Sequence, residues 1–143
     1  MLLCFLTVSS FFACSEEEVI CSFIAEFVGT VLSFDTCVAI LSIDIDQFFL
    51  EGENSESILR ISGLENRTGT QAFDPNNLAG VGASFTDKAT NMFYTTTSGQ
   101  MEFTNIDDSD KLLDGSYNFT LASSAGDTMS VNGTFSNMPF EED

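Results

Sequence analysis

The sequence predicts a single all-β domain, an antiparallel β-sandwich or a β-barrel of about eight or nine strands. Three observations predict this fold class. Apolar and polar residues alternate over long stretches, turn-forming residues separate those stretches, and no segment has the apolar spacing of a three-turn helix. A content of 43% hydrophobic residues, including 15 phenylalanines, supplies a core and argues against a disordered chain.

The C-terminal third predicts a three-strand antiparallel meander. Alternation indicates strands over residues 100–106, 111–122 and 128–138, and turn-forming residues occupy 107–110 and 123–126. The predicted inward face consists of Met101, Phe103, Leu113, Gly115, Tyr117, Phe119, Leu121, Met129, Val131, Gly133 and Phe135. The two glycines of that face are interpreted as strand-interior positions where a strand bends or a bulky neighbour crosses.

The upstream half has a less regular pattern. Alternation and a turn at Gly29 predict a strand pair over residues 23–34. Further strands are predicted over 37–45, 59–61 and 91–97, and a short edge strand over 70–73. The stretches 52–55 and 65–82 are predicted loops, and the second is long enough to cross the domain or to carry function.

An apolar, uncharged leader occupies residues 1–13 and suits the hydrophobic region of a signal peptide. It is too short to span a membrane, because a spanning helix needs about 20 apolar residues. The sequence thus predicts a signal peptide at 1–13, a tether at 14–22, an all-β domain at 23–140 and an acidic tail at 141–143.

The junction after the leader resembles two signals of bacterial lipoproteins. Phe12-Ala13-Cys14 resembles a lipobox, in which the cysteine is lipidated, although Phe11 stands where that pattern usually has Leu. Ser15, Glu16, Glu17 and Glu18 are similar to the acidic signal that sends lipoproteins of Bacteroidota to the outer face of the outer membrane. The resemblance implies lipidation of Cys14 and attachment to a membrane. The alternative is an ordinary signal peptide cut near Ala13, which would leave a periplasmic or secreted protein.

Short motifs along the mature chain carry a second resemblance. They are Phe23-x-Ala25-x-x-x-Gly29, residues 58–63, 68–70 and 98–101 with Tyr94, residues 113–119 and residues 131–135. In this order they resemble a family of uncharacterised outer-membrane lipoproteins from Bacteroidota with an all-β domain. The resemblance implies architecture and cellular address, and it implies no activity.

Charge and residue content exclude several functions. The net charge is -18, with 22 acidic residues against four Lys and Arg, so nucleic acid is not an expected partner. The chain has no histidine, which excludes Ser-His-Asp and Cys-His catalysis and histidine-ligated zinc. We therefore predict a non-enzymatic protein. A small carboxylate-dependent hydrolase is the alternative, because with so many acids some carboxylate pair is inevitable.

Two cysteines remain once Cys4 in the leader and the lipidation site are set aside. Cys21 and Cys37 could pair in an oxidising envelope, where closing a loop of about 15 residues would contribute roughly 3 kcal/mol. The alternative is that both are buried free thiols.

Two weaker site hypotheses lie in predicted turns. Asp107, Asp108 and Asp110 place carboxylates in one turn and could hold Ca²⁺, as could Asp44 with Asp46, but neither group has EF-hand spacing. The alternative is a hairpin turn whose side chains bond their own backbone. Thr128, in Asp127-Thr128-Met129, resembles an O-glycosylation site of exported Bacteroidota proteins. No other cofactor is predicted.

These observations predict a surface-tethered lipoprotein with a binding or accessory role, whose partner is a small ligand, a glycan or another envelope protein. A lipocalin-like β-barrel with a calycin-like interior could hold a small hydrophobic ligand. In a sandwich the same phenylalanines would simply form the core. An internal cavity would distinguish these cases.

Overall fold

A computed structural model describes residues 23–27 and 29–143, and it confirms the all-β prediction. The predicted signal peptide and tether, with Cys14, the Ser15–Glu18 signal and Cys21, lie outside the described residues. Among the described residues, no helix is long and apolar enough to cross a membrane. The strands are β1 Ile24–Phe27, β2 Thr30–Ser33, β3 Thr36–Ser42, β4 Gln47–Glu53, β5 Ser57–Glu65, β6 Gly69–Ala72, β7 Gly82–Asp87, β8 Met92–Asp107, β9 Leu112–Ser123, β10 Thr128–Pro139 and β11 Glu141–Glu142.

All strands belong to one curled sheet. Its order is β11-β3-β4-β5-β7-β8-β9-β10-β1-β2, and β6 pairs with β8 beside this path. Every pairing is antiparallel except that of β11 with β3. The sheet curls into a half-barrel, called the barrel below, with one face turned toward a shared core.

The two edges of the barrel approach each other where β2 leads into β3. Only Phe34 and Asp35 separate these strands, and β2 pairs with β1 while β3 pairs with β4. Two hydrogen bonds close the corner: Asp35 N donates to Glu53 O over 2.8 Å, and Asn54 Nδ2 donates to Ser33 O over 3.0 Å. The β2–β3 connection therefore brings the two ends of the strand order together.

The predicted C-terminal meander is confirmed. Strands β8, β9 and β10 pair in sequence, and the residues predicted to face inward are buried, apart from a half-buried Gly133. Both interior glycines lie where a bulky neighbour crosses. A Cβ on Gly115 would overlap the Phe135 ring, and a Cβ on Gly133 would overlap both Ile24 O and the Tyr117 hydroxyl. That hydroxyl donates to Ile24 O over 2.6 Å, which ties β9 to β1 across β10.

Several elements differ from the sequence prediction. Strands β4 and β7 were not predicted, β5 is longer than 59–61, and β8 joins two predicted strands through a register shift between Thr96 and Ser98. Strand β3 ends at Ser42 rather than at Ile45, because residues 43–46 form the turn into β4 and Asp46 has a positive φ of 54°. Asp44 and Asp46 therefore lie in an exposed turn.

A continuous row of aromatic rings runs through the core. Phe23 contacts Phe34 and Phe135, with ring centroids 5.5 and 6.1 Å apart. Phe103 links Phe135 to Phe48, and Phe48 meets Phe140 edge to face at 5.0 Å. Rings from both edges and from the middle of the sheet thus share one core, which supports the curled shape.

The residues predicted to form an acidic tail are part of the sheet. Glu141 and Glu142 pair in parallel with Ile40 and Leu41 of β3. Lys111 Nζ lies 2.6 Å from Glu142 Oε1, and this partner raises the pKa of the lysine. The C-terminus therefore covers part of the β3 edge.

Candidate functional site: the mouth pocket

One end of the barrel carries a pocket. The β4–β5, β7–β8 and β9–β10 connections lie at this end, because alternate connections of an antiparallel meander share an end. The pocket has a volume of about 190 Å³. We call it the mouth pocket, and its lining residues are Leu32, Glu56, Ser57, Phe85, Asp87, Tyr94 and Met129.

The floor of the mouth pocket is apolar. Phe85 and Met129 are buried, and Leu32 and Tyr94 are half-buried against the core. Phe85 and Tyr94 lie opposite each other on β7 and β8, with ring centroids 6.4 Å apart and planes at 59°. These side chains point inward because they occupy the core-facing positions of their strands, at the point where the strands approach the barrel end.

The rim of the pocket is polar and acidic. Ser57 begins β5 and lies opposite Asp87, which ends β7, and Glu56 precedes Ser57. The Ser57 hydroxyl donates to Asn54 Oδ1 over 3.0 Å, so its oxygen keeps acceptor capacity toward the pocket. Glu56 is exposed and has no described side-chain partner.

The second rim acid is held in place by its own turn. Asp87 Oδ1 accepts hydrogen bonds from the backbone N–H groups of Ala89 and Thr90, over 2.9 and 3.3 Å. This Asx-type turn fixes the side chain at the start of the β7–β8 connection and leaves the other carboxylate oxygen with lone pairs to spare. The Asp87 carboxylate is therefore a preorganised acceptor at the rim.

The nearest cationic side chain, that of Lys88, already forms an ion pair. Lys88 Nζ lies 2.6 Å from Glu53 Oε1 and donates to Asn54 O over 2.7 Å. Its backbone N–H donates to Glu56 O over 2.9 Å, which joins the two turns that form the rim. No residue that lines the mouth pocket carries a positive charge.

A buried hydroxyl lies next to this region. Ser123 is 9% exposed, and its Oγ has no hydrogen-bond partner among the described residues. It lies opposite Tyr94 across the β8–β9 pair. An unsatisfied buried hydroxyl costs stability, so this position marks a weak point in the packing at the mouth end.

Two other depressions are larger than the mouth pocket. One, of about 440 Å³, includes Phe93 and Ala122, and Phe93 is 53% exposed. The other, of about 350 Å³, lies by the β6–β7 connection beside Leu78, which is 99% exposed. The second depression is also lined by two buried apolar residues, Val81 and Ala83. Of these three depressions, only the mouth pocket has a buried aromatic ring, Phe85, in its lining.

Of the aspartates predicted to hold calcium, Asp107 ends β8, and Asp108 and Asp110 lie in the β8–β9 connection. Asp107 Oδ1 accepts from the backbone N–H groups of Ser109 and Asp110, both over 3.0 Å. Asp108 and Asp110 are exposed in the same turn. Within residues 23–27 and 29–143, no group of three or more acidic or cysteine side chains is placed to hold a metal ion.

The other predicted site residues lie apart from the mouth pocket lining. Thr128 is exposed and begins β10, directly after the β9–β10 connection. Cys37 is disulfide-bonded, half-buried and packed against the core. Its predicted partner, Cys21, lies outside the described residues, so the pairing of these two cysteines stays a prediction.

Sequence reasoning did not identify the mouth pocket. Ser57 and Asp87 lie at ends of strands that were predicted too short or not at all. A usable signal was present in Ala83-Ser84-Phe85-Thr86, where small or polar residues alternate with apolar ones. Met129 was predicted to face inward and does so, but a periodic pattern cannot show that an inward residue meets a cavity.

The fold and the pocket stand without support from relatives. Comparison of the chain with profiles of known families, with curated proteins and with solved structures found no match.

Proposed function

We propose that this protein is a lipid-anchored, non-catalytic binding protein that holds a small, largely apolar molecule in the mouth pocket. The observation that carries the proposal is the pocket itself. It combines a buried apolar floor with a polar rim at the open end of a curled sheet. Ligand sites commonly combine an apolar lining with a few converging polar groups at the mouth of a barrel.

The size of the pocket sets the size of the ligand. An apolar cavity of about 150 Å³ holds a benzene-sized molecule, and the mouth pocket has about 190 Å³. A phenyl-sized group that buries about 150 Å² would gain roughly 4 kcal/mol at about 25 cal/mol per Å². The cost of immobilising the ligand opposes this gain, so a Kd of about 1 mM is the tightest value that it allows. We expect weak, rapidly reversible binding unless further contacts add to it.

Attachment to a membrane is supported by the lipobox-like Phe12-Ala13-Cys14 and the acidic run that follows. A lipid anchor with more than one acyl chain is effectively permanent, because each buried methylene contributes about 0.8 kcal/mol. The binding domain would then work at the outer face of the outer membrane. Its tether could reach about 30 Å from the bilayer if fully extended at about 3.3 Å per residue.

Ligand binding is tested with 2-phenylethanol, a neutral probe of suitable size, in an amide NMR titration of the folded domain. We expect saturable shifts for residues of the mouth pocket. Leu32→Phe fills part of the pocket and should abolish those shifts, whereas the control Val31→Phe changes an adjacent residue that is 63% exposed and should leave them intact. Absent shifts, or equal shifts in both variants, would rule out the mouth pocket as the binding site.

The anchor is tested by fractionating host cells that express Cys14→Ser. We expect this variant in the soluble fraction, because the lipidated thiol is lost. Cys4→Ser changes a leader cysteine without removing the lipidation site and serves as the control. If the Cys14→Ser protein stays with the membrane, the anchoring proposal is wrong. Protease treatment of intact cells then tests whether the domain faces outward.

A further inference from the structure

We infer that the mouth pocket selects organic ammonium ions, meaning primary or methylated amines with a small apolar body. This inference rests on the proposed function and specifies the class of ligand. It depends on three features of the pocket: the hydrogen-bonding character of its rim, the aromatic pair in its floor and the absence of an available cation nearby.

The rim offers acceptors. The carboxylates of Glu56 and Asp87 only accept hydrogen bonds when ionised, and the Ser57 hydroxyl has its proton engaged by Asn54. Among the side chains that line the pocket, only the Tyr94 hydroxyl has a proton left to donate. An ammonium group has hydrogen-bond donors and no acceptor, so it complements the acceptors of the rim. A carboxylate or phosphate has only acceptors and would leave the rim groups unpaired or repelled.

The floor adds an attraction for cations that the rim does not supply. Phe85 and Tyr94 present two rings, 6.4 Å apart and tilted by 59°, to the same small volume. The face of an aromatic ring attracts an ammonium or alkylammonium group through the ring quadrupole, and aromatic cages for methylated amines use this effect. The apolar body of the same ligand can contact Met129 and Leu32.

No lysine or arginine is left to compete with a bound cation or to attract an anion. The chain has four such residues, and each makes an ion pair. The pairs are Arg60 with Glu51, Arg67 with Glu65, Lys88 with Glu53 and Lys111 with Glu142. Only Lys88 belongs to a connection at the mouth end, and its ammonium is engaged by Glu53 and by Asn54 O. An anionic ligand would therefore meet unneutralised carboxylates.

The test compares three probes with the same phenyl body: phenethylamine, 2-phenylethanol and 3-phenylpropionate. Amide NMR titrations at pH 7 and low salt give a Kd for each. We expect the amine to bind about tenfold tighter than the alcohol, and the carboxylate to bind more weakly than either. Equal affinities of amine and alcohol in the mouth pocket would overturn the inference and leave the proposed function intact. No pocket binding by any probe would overturn both.

Variants that remove a negative charge test which residues cause the preference for the amine over the alcohol. In the double variant Glu56→Gln with Asp87→Asn, the tenfold preference should fall to about threefold, which is the part that the aromatic pair supplies. The affinity of this variant for 2-phenylethanol should fall much less than its affinity for phenethylamine, and an unchanged circular dichroism spectrum shows that the variant remains folded. Glu102→Gln removes one exposed acid from β8 outside the pocket lining and should keep the preference. If Glu102→Gln lowers the preference as much as the rim variant does, overall charge explains it and the inference fails.

Discussion

A buried glutamine links two strands that do not pair through their backbones. Gln71 is 4% exposed and lies in β6, while Glu65 ends β5. Gln71 Oε1 accepts from Glu65 N over 2.7 Å, and Gln71 Nε2 donates to Glu65 O over 2.8 Å. The side-chain amide thus reproduces the donor and acceptor pattern of a strand neighbour, and it closes the sheet where β6 leaves the main path.

Gln71→Met keeps the length and much of the volume of the side chain but removes these two hydrogen bonds and a longer one from Nε2 to Arg67 O at 3.4 Å. Glu65 O still accepts from Arg67 N over 2.8 Å, so Glu65 N is the backbone group that loses its partner. A backbone group left without a partner costs about 1–3 kcal/mol when water cannot replace the bond. Since Glu65 itself is exposed, water can recover part of this loss. We therefore expect the free energy of unfolding to fall by about 1–2 kcal/mol.

Gln71→Glu sharpens the test. At pH 7 the introduced carboxylate can still accept from Glu65 N, but it places a second acceptor against Glu65 O and carries a charge at a buried position. We expect a loss larger than that of Gln71→Met at pH 7. Near pH 4 the introduced carboxyl is largely protonated and can donate to Glu65 O, so its deficit relative to the parent protein should shrink.

Urea unfolding followed by circular dichroism measures these changes, with the disulfide left oxidised. The control is Gln100→Met, which changes an exposed glutamine on the neighbouring strand β8 and should alter stability by less than about 0.5 kcal/mol. Hydrogen exchange at the Glu65 amide gives a local readout and should accelerate only in the Gln71 variants. Equal stability of Gln71→Met and Gln100→Met would refute the assignment of Gln71 as a strand substitute.

Two further predictions concern close contacts in the core. Burial raises the pKa of Tyr117 above its ordinary value of 10.0, so its contribution to stability is complete below about pH 10 and declines above it as the unfolded phenol ionises. When stability is measured from pH 8 to 11, the free energy of unfolding should fall by up to about 1.4 kcal/mol per pH unit above pH 10. Tyr117→Phe should make this slope shallower. At pH 8 the variant should be less stable by about 1 kcal/mol, because it lacks the hydrogen bond to Ile24 O. Gly115→Ala should destabilise by about 1–3 kcal/mol, because a Cβ there overlaps the Phe135 ring. Gly126→Ala is a partial control with open space around its Cβ, and its cost should come only from its positive φ of 89°. Equal alkaline slopes with and without the Tyr117 hydroxyl, or an unchanged Tm for Gly115→Ala, would contradict these interpretations.

The parts of the fold that could be predicted are those whose pattern is local. Burial alternates over all twelve residues of β9 and over residues 128–135 of β10, so a short window of sequence is enough to place them and their inward faces. The register shift between Phe135 and Met138 interrupts the alternation at the end of β10. Strand β4 was not predicted, because Phe49 on its outer face interrupts the alternation of Phe48, Leu50 and Gly52. Strand β7 was not predicted because small residues occupy most of its six positions.

The mouth pocket depends on pairings between strands that lie far apart in the sequence, so no short stretch of sequence predicts it. Leu32 and Met129 are almost a hundred positions apart in the chain, and they line one pocket only because β10 pairs with β1 and β1 with β2. The side chain of Gln71, in β6, likewise forms hydrogen bonds with the backbone of β5. Both features depend on register across several strands, and a single sequence gives each strand's faces without giving its neighbours.

The acidic residues can act on a ligand in two ways, by long-range attraction or by direct contact in the pocket. The range of each effect decides which of the two selects the ligand. At physiological ionic strength, exposed charges are screened beyond about 8 Å. The chain has 22 acids and a net charge of -18. Among the described residues, the acids other than Glu56 and Asp87 lie outside the pocket lining and act mainly by raising the encounter rate of a cation. Glu56 and Asp87 line the pocket and act at contact. Raising the salt concentration should therefore slow amine association while leaving most of the preference for amine over alcohol, since that preference is set within the pocket.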